Sequence, residues 1–170
     1  MTSSLTTRPG FGRALAAVRG AEIGLLRAVA LDIVAVGESD ALGMLGAQTI
    51  ELMRSMTGPT AVDLQAHSTP DGGATTFLGR AGRGIAVSAH LSVVAGKNRE
   101  PLRATIRLVG THGSVLVDLL RPLLEVRTVA SRTEVPFGPL GDDAPAPEAA
   151  GALSAIAESA RSGETVTITW

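Results

Sequence analysis

LGMLGAQTIELMRSMTG, Leu42 to Gly58, is the stretch on which the fold turns. Leu42, Leu45, Ile50, Leu52, Met53 and Met56, with the methyl of Thr49, recur at three- and four-residue spacings, which predicts a helix with one buried stripe. Gly58-Pro59 ends it. On the flank of that stripe stand Gln48 and Glu51, neighbours at i,i+3, with Arg54 one turn further on. A solvated edge is the plain reading of such a trio; a ligand-facing edge is the functional one.

Outward from the helix the period changes from helical to two. Val62, Leu64 and Ala66 alternate with Asp63, Gln65 and His67; Ile85 to Val93 and Leu102 to Leu108 alternate likewise. Leu25 to Val36 reads as a strand rich in branched residues, and Ser39 or Asp40 in the loop after it caps the central helix. Leu108 to Asp118 reads as a hairpin, and Leu123 to Val129 and Thr165 to Trp170 as further strands. A first helix is expected over about Gly12 to Arg19 with Leu15 and Val18 inward, and a late one over about Glu148 to Ser162, closed by Gly163 after the Pro-rich loop Pro136 to Pro147. These elements predict an α+β fold: a mixed, mostly antiparallel, open-faced sheet of about six strands, with two or three helices on one face. The 170 residues suit a single domain, with residues 1–8 a flexible start.

Composition removes several classes of function. Fifteen Lys plus Arg against sixteen Asp plus Glu, without a basic run, give no electrostatic footprint for nucleic acid. The chain has no cysteine, hence no disulfide and no thiolate chemistry. No apolar run is long enough to span a bilayer, and MTSSLTTRPGFGR has no apolar signal core, so a cytoplasmic location without membrane contact is expected. Three Phe and one Trp leave the core to aliphatic side chains. The Ala, Gly and Arg bias beside the single Lys97 is that of a high-GC bacterial gene.

The central helix resembles the GxHxxDLxxxLxG segment of the Gfo/Idh/MocA oxidoreductases, with Gly46, Ile50, Leu52, Met56 and Gly58 in place. RPGFGRALAAVRGAEIG at the start and the Gly110-Thr111-His112-Gly113-Ser114 turn are similar to further segments of that family. The resemblance covers about Arg8 to Trp170 and implies the family's second domain without its nucleotide-binding half. At two positions the sequence departs from the pattern: Gln48 stands where the family has its histidine and Glu51 where it has an aspartate. An imidazole takes a proton near neutral pH, whereas an amide only hydrogen-bonds. The resemblance also implies that the loop holding Asp40 lines a substrate pocket and that the sheet's outer face pairs with a second subunit.

A nicotinamide site needs a Gly-rich strand-to-helix turn, and no GxGxxG follows an early strand. LGRAGRG, with Gly79 to Gly84, reads as a hairpin turn, and Lys97 as a surface residue. No cofactor is therefore expected on this chain alone; NAD(P) enters only if a partner supplies a Rossmann domain. The outer polar face gathers Asp63, Gln65, His67, Ser88, His90, Ser92, Arg103, Thr105 and Arg107, read first as a homodimer surface and second as a pocket, with no metal expected. His112 reads as a turn residue.

Three functions stay open. The first is a cofactor-free isomerase, lyase or cyclase of bacterial biosynthesis, with Glu51 as base or acid and Gln48, His67 and His90 as partners, and Asp40, Arg54, Arg8 and Arg103 as substrate contacts. The second is the substrate-binding subunit of a split oxidoreductase. The third is a non-catalytic ligand-binding or dimerisation protein.

Overall fold

The structure, a computed structural model, describes residues 4–37, 41–96, 101–121, 123–128, 132–135 and 149–169. Three helices, α1 (Pro9–Arg19), α2 (Ala41–Thr57) and α3 (Ala149–Ser162), lie on one face of a nine-stranded sheet. The strands are β1 (Leu26–Gly37), β2 (Ala61–Ser68), β3 (Ala74–Ala81), β4 (Ile85–Ala95), β5 (Pro101–Gly110), β6 (Gly113–Asp118), β7 (Leu123–Thr128), β8 (Arg132–Val135) and β9 (Val166–Thr169). Their order is β8-β7-β6-β5-β1-β4-β3-β2-β9, with β1 and β4 parallel and every other neighbouring pair antiparallel.

The fold class is the expected one, with nine strands in place of about six. Two of the additional strands, β3 and β8, carry few large apolar residues. Gly79, read as the start of a turn, lies inside β3 because β2 passes so close that a Cβ would meet the Asp63 carbonyl and Leu64. The turn itself is the 3-10 segment Gly82–Gly84, which contains Arg83 at φ 63.

Alternation decides which side faces the helices. In β1, Val29, Leu31, Ile33 and Ala35 are buried, and so are Val62, Leu64 and Ala66 in β2 and Val87, Ala89 and Leu91 in β4. Against them α2 sets Leu45, Ile50, Leu52, Met53 and Met56, buried as the spacing predicts, while Leu42 of the same stripe is only half-buried. Burial of side chains this size contributes roughly 1.5–3 kcal/mol each. Gly58 closes α2 at φ 81, its N–H donating to the Arg54 carbonyl at 2.9 Å.

Two expectations near the start need correction. Residues 1–8 were expected to be a flexible start, yet from Ser4 onward they pack: Ser4 caps the 3-10 turn Leu5–Thr7 and Leu5 is fully buried. Helix α1 begins at Pro9, which is favourable at a first helical turn. It buries Phe11, Ala14 and Ala17, while Leu15 and Val18 are only half-buried.

Candidate functional site

Helix α2 has neighbours on three sides: β1 and β4 beneath, α3 on one flank, and the Leu5–Thr7 turn with α1 on the other. Gln48 is buried, with 3% of its surface exposed. One turn further on, Glu51 and Arg54 are half-buried and line a hollow of about 440 Å³ with Thr6, Arg19, Ser55, Gly58 and Pro59. Arg19 and Arg54 against Glu51 give this hollow one net positive charge. It suits a small polar molecule with hydroxyl or carboxylate groups.

The other candidates do not join this group. Arg8 occupies the N-cap position of α1, accepting through its carbonyl from Phe11 and Gly12, and its Nε is buried without a partner. Asp40 and Lys97 lie outside the described residues. His67, His90 and Arg103 project from the opposite face of the sheet, so the expected assembly of Glu51 and Gln48 with His67 and His90 is not formed. The alternation that buries Ala66, Ala89 and Ala104 under the helices turns these three outward.

On that outer face they belong to a different arrangement. Strand register lines up His67, Thr76, His90, Asp32, Thr105 and Asp118 in one row across β2, β3, β4, β1, β5 and β6. Thr76 Oγ1 and His90 Nδ1 lie 2.8 Å apart, and Arg103 donates to Asp32 at 2.7 Å. Asp32 Oδ1 is occluded and has no partner. The sequence reading passed over Asp32, although a lone carboxylate in LLRAVALDIVAV is the kind of signal that marks a special position. Among the described residues no group of three or more His, Asp or Glu could hold a metal.

Among the described residues no glycine-rich turn leads from a strand into a helix to cradle a pyrophosphate: Gly79 is in a strand, and Gly82–Gly84 lead into β4. No helix among the described residues is long and apolar enough to cross a membrane. His112 sits in the β5–β6 turn beside Thr111, as expected.

Neither a protein-family model nor a curated protein matches the sequence. Solved structures match over almost the whole chain, and they are oxidoreductases of the Gfo/Idh/MocA type. An NAD-binding oxidoreductase from Klebsiella pneumoniae aligns at TM-score 0.79 and 16% identity, over 99% of this chain and 65% of its own. An oxidoreductase from Thermotoga maritima gives 0.74 and 18%, over 97% and 62%. Levoglucosan dehydrogenase, in complex with NADH and levoglucosan, gives 0.76 and 14%, over 97% and 65%. This chain thus spans under two thirds of each neighbour's length, and the likeness at these identities is one of fold.

Proposed function

We propose that this chain is the substrate-holding half of an NAD(P)-dependent oxidoreductase activity, with the nucleotide carried by a Rossmann-type domain outside these 170 residues. The observation that carries the reading is the charged hollow beside α2, in which Glu51 lies with Arg54 and Arg19, one turn from the buried Gln48. The Gln48 amide would hydrogen-bond a substrate hydroxyl, and Arg54 or Arg19 would hold a carboxylate or hydroxyl. Gln48 positions and Glu51 is the one carboxylate of α2 able to take a proton.

The cofactor-free isomerase, lyase or cyclase reading draws less support, because it leaves Glu51 as the sole acid or base once His67 and His90 stand across the sheet. A non-catalytic binding protein would use the same hollow with no proton transfer. Pairing with a second copy through the outer sheet face is part of the proposal. Leu78 and Val109 are exposed there, 59% and 38%, to one side of the row of polar groups.

The test is a calorimetric titration of the purified chain with NAD and NADP, then with glycolate, L-lactate and L-tartrate as hydroxy-acid probes, on protein whose mass in solution is measured first. A dimer that binds neither nucleotide, binds a hydroxy acid, and loses that binding on Gln48→Leu supports the proposal. Tight nucleotide binding to the chain alone would overturn the division of labour, and hydroxy-acid binding indifferent to Gln48 would remove the site.

A further inference from the structure

A second hollow lies on the other flank of α2, between that helix and α3. It measures about 360 Å³, within the size range of small-molecule pockets. Small residues create it: Gly43 and Gly46 on α2 face Ala157 and Ala160 on α3, while Leu91, Leu153 and Ile156 supply the walls. At Gly46 a Cβ would run into Leu153, so the two helices are in close contact there.

Only hydroxyls relieve the apolar lining near the β2–β3 turn. Ser68 Oγ and Thr75 Oγ1 lie 2.8 Å apart. In such a pair one hydroxyl donates to the other, which leaves one O–H free to donate and lone pairs free to accept. Among the described residues no Lys, Arg, His, Asp or Glu lines the hollow. An ion placed there would lose its hydration without a countercharge, so the chemistry selects a neutral guest.

The geometry points to a second binding site, independent of the Gln48 and Glu51 hollow, for a neutral apolar molecule bearing one oxygen, an alcohol or ketone of medium chain length. Its hydrocarbon part lies against Leu91, Leu153 and Ile156, and its oxygen meets the Ser68 and Thr75 pair.

Octan-1-ol is the probe, with octanoate at pH 8 as the charged counterpart, followed by the methyl resonances of Leu91, Leu153 and Ile156 in the full chain. Saturable shifts with octan-1-ol are expected, with octanoate at least tenfold weaker. Gly43→Leu should weaken octan-1-ol at least tenfold by filling the hollow. This variant should fold, because an added Cβ at Gly43 meets nothing within 4 Å and leucine favours a helix over glycine. The double change Ser68→Ala with Thr75→Val should weaken it about two- to tenfold, the worth of one hydrogen bond. The absence of saturable shifts up to the solubility of octan-1-ol, equal binding of octanoate, or undiminished binding by the folded Gly43→Leu protein would each overturn the site.

Discussion

Asp32 of β1 and Arg103 of β5 close an ion pair of 2.7 Å in the middle of the outer sheet face, and one carboxylate oxygen of Asp32 is left occluded with no donor. Both side chains are more than a third exposed, so water screens much of their attraction. A double-mutant cycle of Asp32→Asn and Arg103→Gln in urea denaturation should give a coupling of about 0.5–1 kcal/mol. A coupling near zero would show that the pair is geometric only.

Ser159 is a stronger structural contact. It is fully buried on α3, donates to the Glu164 carbonyl at 2.7 Å and accepts from the Ala66 amide at 2.8 Å. Pairing of β2 with β9 stops at Leu64, so Ser159 takes over the β2 edge where the strand partner ends. Ser159→Ala should cost about 1–3 kcal/mol, because the Ala66 N–H is then buried without an acceptor. A loss under half of that in the denaturation midpoint would mean that water replaces the hydroxyl.

Gly110 lies where β5 passes the Ile23 carbonyl, and a Cβ there would strike that backbone oxygen. Backbone cannot step aside as a side-chain tip can. Gly110→Ala should therefore destabilise by about 1–3 kcal/mol, whereas Gly43→Ala should be neutral or stabilising. Melting temperatures of the two variants give the comparison directly.

Glu22 carries the one acid-sensitive contact between α1 and the turn that follows it. The Arg13 guanidinium, hydrogen-bonded to it at 2.7 and 3.0 Å, holds its carboxyl below the ordinary 4.5. A carboxyl depressed in the folded state stabilises above its unfolded pKa and loses that contribution as pH falls through the folded value. Glu22→Gln should thus cost up to about 0.5 kcal/mol at pH 7, and the difference from the natural protein should vanish when both are unfolded well below pH 4.5.

The fold was legible where periodicity is strong. Helix α2, strands β1, β2, β4 and β5 and the β5–β6 hairpin announce themselves through spacing, and Gly58 and Gly163 mark their helix ends at φ 81 and 73. Strand β3 was hidden because ATTFLGRA has one large buried residue, Phe77, and a glycine that strand packing and not turning requires. The site was legible only in part. Gln48, Glu51 and Arg54 follow from one helix, but whether His67 and His90 join them depends on which sheet face the helices cover. Alternation places both histidines on one face without saying which. Asp32 was overlooked because its significance comes from Arg103, seventy-one positions further along the chain.

The position of β1 also sets an order of events at the ribosome. Its two partners are β4, residues 85–95, and β5, residues 101–110. Strand β1 is therefore made before both of its partners, its β4 edge waiting for the 58 residues to Ala95 and its β5 edge for the 73 residues to Gly110. Such an interval exposes the nascent chain to association with its own kind. Pairings of such long sequence separation are the kind that slow folding.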